Sequence, residues 1–428
     1  MNPALDLAAR IARRETSSVE AVTEALAAIR AQNGAVGAFV SVDEAGALRQ
    51  ARHADAMRGR GIAKPFLGVP IGIKDHEPVR GFVTGLGSRA FGWLYTPFDG
   101  AIAKAMRRAG FVILGKTATS ELTIMPYVHG ARTPFDPAHY AGGSSGGAAA
   151  AVASGMIPIA PGSDGGGSIR IPSAFCGLVG VKPGRGVLPN PYGGMDPAQI
   201  SSVGPLARTV RDAAALIDAL RDGGGDAFLP SVERALPSRM RVRVLLSTTL
   251  ARVDPEIAEA TVAVAKRIEA LGHALVPAPP YIATVDEFIP IMAAMVAKMP
   301  LVPFTERLLE PTTRWLRAYG RKVHDARERG AALAARVDDW WGDTDLLVTP
   351  TVAQLAPKAG SFDGLDGEAT FRAAAPLGAF TAPFNLSGQP AISIPWGRAK
   401  NGLPIGVQIV ARHRADRMLL ALAARLVD

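Results

Sequence analysis

The chain has 428 residues, 48% hydrophobic and 20% charged, an ordinary globular balance with ample length for a large core. Its net charge of +9 is scattered among acids, as in ARRETSSVE and RKVHDARERG, which argues for solubility and against a nucleic-acid surface. The single Cys176 permits no internal disulfide, no window reaches the roughly 18 apolar residues of a membrane span, and Asp6, Arg10, Arg13 and Arg14 interrupt any secretory signal, so a cytoplasmic location is expected.

In chain order, Ser17 and Glu20 have capping-box spacing and open a helix through SSVEAVTEALAAIRAQNG, with Gly34 after its last turn. FLGVPIGIKD (66–75) reads as a buried strand ending in charge, and AIAKAMRRAGFVILGKT (101–117) as helix, glycine turn and strand. AAAAVASGMIPIA is material for a buried helix. LVGVKP is a strand, TVRDAAALIDALRDGGG a helix ending on glycines, and RVRVLLS, DPEIAEATVAVAKRIEALG and HALVPAP form strand, helix and strand. Residues 281–340 read as mainly helical, closing in a VDDWWGD turn. DLLVTPT, PAISIPWG and IGVQIVA add strands, and DRMLLALAARLVD a final helix. The alternation predicts one α/β domain over 1–428: a single large mixed β-sheet sandwiched between helices.

Several short motifs match chemistry that their context does not support. GFVILGKT fits the phosphate-binding pattern G-x-x-x-x-G-K-[ST], but Phe111, Val112, Ile113 and Leu114 prefer a buried strand to an exposed phosphate cradle. GLGSRA lacks the preceding strand that a dinucleotide fingerprint needs. GGSSG fits a nucleophile elbow centred on Ser144, or on Ser145 one frame later, yet turn-like TPFDPAHYA precedes it. His76–Glu77 is not part of H-E-x-x-H, and the seven histidines show no ligand spacing, so no metal or other cofactor is expected.

The stretch AGGSSGGAAAAVASGMIPIAPGSDGGGSIRIPSAFCG (141–177) is the most informative. A flexible linker would be polar throughout, whereas these glycine clusters flank apolar residues. DGGGS can direct the amides of Gly165, Gly166, Gly167 and Ser168 at one point, as an oxyanion hole requires. A serine nucleophile needs a base; no histidine lies in either cluster, which leaves a neutral lysine as the alternative.

GGSSGG and DGGGSIRIPSAFCG, with the lysine of GVPIGIKD upstream, resemble the amidase signature family of Ser–cisSer–Lys hydrolases. Further segments resemble the family in order, among them AGFVILGKT, GLVGVKP, SSVGPLARTVRDAA, DLLVTPT and TAPFNLSGQPAISIPWG; the region around 280–340 does not. The resemblance implies Ser168 as nucleophile, Ser144 as bridging serine after a cis peptide, and Lys74 as base. It further implies Ser145 as a support orienting Lys74, and Asp164 with Arg170 as an ion pair bracing the glycine loop. Gly165 replaces a residue that is more often branched in the family. Glu77, if close to Lys74, would favour the charged amine and oppose catalysis.

Tyr127, Tyr192 and Met195 are candidates for the substrate-pocket walls, with residues 280–340 shaping the rest. The expected activity is hydrolysis of a small-molecule, linear carboxylic amide, releasing ammonia or an amine, with no nucleic-acid or membrane partner and a homodimer left open. The alternatives are a glutaminase component of an amidotransferase that needs partner subunits, and a non-catalytic binding protein.

Overall fold

A computed structural model describes residues 1–221, 225–278, 285–301 and 305–428. Among the described residues eleven strands are β1 (Phe39–Val42), β2 (Pro70–Lys74), β3 (Val112–Thr117), β4 (Ile159–Asp164), β5 (Val179–Lys182), β6 (Ser202–Ala207), β7 (Arg241–Val244), β8 (Ala274–Val276), β9 (Leu346–Pro350), β10 (Ala391–Arg398) and β11 (Pro404–Ala411). Eight of them form one mixed sheet in the order β4-β6-β5-β10-β11-β9-β7-β8, packed by helices, which is the α/β architecture expected. The remaining three form a smaller sheet, β1-β3-β2, that the sequence pattern does not separate from the first.

Local chemistry explains many boundaries. The helix Ser18–Val36 has the full Ser17/Glu20 capping box. It runs through Gly34 and stops at Gly37, three residues later than expected. Gly37 is left-handed (φ 57°), and a Cβ there would lie 2.0 Å from the Gly130 carbonyl oxygen, so glycine is required. Within GFVILGKT, Val112–Thr117 form the buried strand β3, paired in parallel with β2.

Two strands differ from the sequence-based expectation. In AAAAVASGMIPIA the helix ends at Ala153; Gly155 turns the chain and β4 begins at Ile159. β4 and β6 carry Pro, Gly and Ser, poor strand formers, and become strands by pairing from Ile159↔Ala207 to Asp164↔Ser202. In the 280–340 region, helices Val285–Lys298, Pro311–Gly320 and Ala326–Trp341 bear out the helical reading, while 281–284 and 302–304 lie outside the described residues. VDDWW is helical, and the turn comes only at Gly342. No helix among the described residues is long and apolar enough to cross a membrane.

Candidate active site

Lys74 ends β2, whose five residues are all buried. Consecutive strand side chains point to opposite faces. Asp75 therefore turns away and pairs with Lys116 at 3.0 Å, leaving Lys74 to face the two glycine clusters. Its Nζ donates to Ser144 Oγ at 2.7 Å and to Ser163 Oγ at 2.9 Å. Burial pushes the Lys74 amine down to about 7, against a pull upward from Asp164. Two other lysines are as deeply buried, but Lys116 is held by Asp75 and Lys182 donates to the Pro183 carbonyl.

Glu77 does not oppose the amine. Its Oε1 accepts from the amides of Ile102 and Ala103 at the start of the helix Ala101–Ala109, where a carboxylate is electrostatically favoured.

Ser144 follows a cis Gly143–Ser144 peptide, in agreement with the resemblance. It sits just before the helix Gly146–Ala153, a run of alanines that packs tightly against β4 and β2. A Cβ at Gly147 would lie 2.3 Å from the Ala118 nitrogen, so this glycine sets how closely the helix approaches β3. Ser145 does not orient Lys74. Its hydroxyl donates to the Ser163 carbonyl at 3.3 Å and its amide to the Ser168 carbonyl at 3.2 Å, which ties the two serine turns together. The second hydroxyl on the amine belongs instead to Ser163, next to Asp164 on β4. Reading IAPGSD as a strand would have placed Ser163 opposite Asp164, and that alternation is the signal for it.

The DGGGS turn hangs from a buried ion pair. Arg170 donates Nε to Asp164 Oδ2 and Nη2 to Asp164 Oδ1, both at 2.9 Å, and both side chains are fully buried. Burial alone would raise the Asp164 carboxyl. The charge and hydrogen bonds of Arg170, with a hydrogen bond from Asn385, outweigh it and hold the group well below the usual carboxylate range. Asn385 and Gln408 complete the network: Arg170 donates to both, and Asn385 Nδ2 donates to the Asp164 side chain and carbonyl at 2.9 Å. Neither stands out in the sequence, because their partners lie more than 200 residues away along the chain.

Gly167 (φ 128°) crosses against Thr381, whose Oγ1 would be 2.3 Å from a Cβ there. The Gly167 amide donates to Asp164 Oδ1 at 2.6 Å, so it faces the carboxylate and not an oxyanion. The amides of Gly165, Gly166 and Ser168 have no hydrogen-bond partner among the described residues.

Ser144, Ser163, Gly165, Gly166 and Ser168 line one cavity, and Tyr192 lines it with them. The Tyr192 hydroxyl shares a 2.6 Å hydrogen bond with Thr123. Tyr127 and Met195 do not line this cavity. Tyr127 packs behind the first glycine cluster, stacked on Phe362 with centroids 4.5 Å apart, and its backbone lies 2.5 Å from where a Gly143 Cβ would be. Met195 ends the turn Gly193–Met195. Cys176 is buried and its thiol is pushed up to about 12 by burial, which makes it a packing residue.

A buried lysine whose pKa is brought down to about 7 thus rests on a serine that shares a cavity with a second serine in a glycine turn. The Amidase family model matches residues 20–420. A 6-aminohexanoate-cyclic-dimer hydrolase from Pseudomonas sp. (strain NK87) is 36% identical over 409 residues, covering 85% of this chain and 83% of that protein. A solved structure of 6-aminohexanoate cyclic dimer hydrolase superimposes with a TM-score of 0.89 at 30% identity, covering 99% of this chain and 96% of that one. A glutamyl-tRNA(Gln) amidotransferase component from Thermotoga maritima is similar at a TM-score of 0.76 and 27% identity, covering 96% of this chain and 91% of that one. The chain belongs to the amidase signature family, enzymes that hydrolyse amide C–N bonds.

Proposed function

We propose that this chain hydrolyses the C–N bond of a small, linear, non-peptide carboxylic amide through an acyl-enzyme on Ser168, with Lys74 as base and Ser144 as relay. The observation that carries the reading is the buried 2.7 Å contact between Lys74 Nζ and Ser144 Oγ beside a cavity that also holds Ser168.

The steps follow from this geometry. Near pH 7 a large fraction of Lys74 is the free amine, whose lone pair accepts the Ser144 proton as Ser144 accepts that of Ser168. Ser168 Oγ adds to the amide carbonyl. The oxygen that gains charge is met by amides drawn from Gly165, Gly166 and Ser168, each such donor being worth roughly 10²–10³ in rate. Lys74 returns the proton through Ser144 to the departing nitrogen, which leaves as ammonia or an amine. Water then repeats the relay on the ester and releases the acid. Ser163 positions the Lys74 amine, and the Asp164–Arg170–Asn385 network holds the turn that carries the nucleophile.

The test is labelling with a fluorophosphonate, located by peptide mass spectrometry, alongside ammonia release from a panel of primary amides. Label on Ser168, and its loss together with turnover in Ser168→Ala, is the expected result. Label on Ser144 or Ser145, or undiminished turnover by Ser168→Ala, would overturn the assignment.

A further inference from the structure

The cavity joining Ser144 and Ser168 has a polar and an apolar part to its lining. The polar part carries hydroxyls: Ser163, Ser201, Thr123 and Tyr192. The rest of its wall is largely apolar, lined by Phe288, Met292 and Met295 of the helix Val285–Lys298, by Leu333 of the helix Ala326–Trp341, and by Phe371 and Leu386. The wall reaches the catalytic turn itself, since a Cβ on Gly166 would stand 3.5 Å from the Phe288 ring.

Among the described lining residues there is no Lys, Arg or His, and Glu287 is the one carboxylate. Both oxygens of Glu287 accept from Arg336, Oε1 from Nη1 at 2.7 Å and Oε2 from Nη2 at 2.9 Å, so its charge is already matched. A substrate carrying a carboxylate would find no cation among the described lining residues, and one carrying an ammonium would have to compete with Arg336. Burying either charge unpaired is strongly unfavourable, whereas each buried methylene is favourable by about 0.8 kcal/mol.

From this lining we infer that the substrate is the amide of an uncharged, apolar acyl group, and that the site discriminates against glutamine and other amides with a charged tail. The inference rests on the Ser168 reading for the end of the cavity at which the amide sits.

The experiment compares kcat/KM for acetamide, butanamide and hexanamide with three charged counterparts: 6-aminohexanamide, adipamate and glutamine. Hexanamide should exceed acetamide by up to about 250-fold, close to fourfold for each of four methylenes. The charged amides should fall below hexanamide by more than about 100-fold. A rise of less than about fivefold across the neutral series, or a charged amide turned over as well as hexanamide, would overturn the inference while leaving the catalytic reading intact. If no amide is cleaved, calorimetric titration of Ser168→Ala with the same compounds decides: tighter binding of hexanamide than of acetamide and adipamate upholds the apolar site, and equal binding overturns it. Met292→Lys should shift the preference from hexanamide to adipamate. Met292→Ala introduces no charge; it should raise KM for hexanamide about tenfold and KM for acetamide by much less, and it keeps the test readable if the lysine variant does not fold.

Discussion

The two ends of the active cavity are built on opposite principles. At one end Lys74, Ser144 and Ser163 are buried, polar and locked by short hydrogen bonds, with the Asp164–Arg170 pair directly behind. At the other, Phe288, Met292 and Phe371 offer apolar surface with few directional contacts. Proton transfer needs heavy atoms within hydrogen-bond reach and a tuned pKa, so the first end tolerates little displacement. Apolar contact is non-directional, and methionine adapts its shape, so the second end can be remodelled to suit a different acyl group while the chemistry stays put.

That contrast can be tested by substitution. Lys74→Ala removes the proposed base and should lower kcat by about 10⁴-fold, with KM nearly unchanged, in steady-state ammonia release. Asp164→Asn leaves Arg170 buried without its counter-charge. Breaking such a pair destabilises by about 3–5 kcal/mol, to be read as a lower Tm and a lower soluble yield. Restored stability in a double replacement of Asp164 and Arg170 by neutral residues would identify the stranded charge as the cause.

Ser163→Ala should lower kcat by about 10–100-fold while leaving KM alone. It should also move the acid limb of the pH–rate profile to lower pH, because the hydroxyl that accepts from the charged amine is gone. In the intact enzyme kcat/KM should rise with pH through about 7, where Lys74 loses its proton, and level off above. The sign follows from the role, since only the neutral amine accepts a proton; a profile that falls through this range would remove Lys74 as the base. Ser145→Ala should have the smallest effect, within about threefold, since its hydroxyl makes one long bond to a backbone carbonyl.

Much of this is legible in the sequence where the cause is local. The Ser17 cap, the strand character of FVILGKT and the glycine turns follow from neighbouring residues. Lys74, Ser144 and Ser168 can be named because each stands in a short motif that resembles the family. Tyr127 and Met195 are misplaced by sequence reasoning because nothing local tells a pocket wall from ordinary packing: Tyr127 is a buried aromatic in the stack with Tyr140 and Phe362. Ser163 and Asn385 escape it because their roles arise from partners brought in by other strands.

What the sequence by itself determined is the set of chemical groups, the turns that can hold them and the alternation of helices and strands. What only the tertiary structure decided is which hydroxyl meets the lysine and in which state the lysine rests. Ser144 and Ser163 lie 70 and 89 residues from Lys74 along the chain and meet it through the packing of β2 against β4 and the alanine helix. The amine is brought near neutrality by desolvation, a property of everything packed around it and of no residue taken alone.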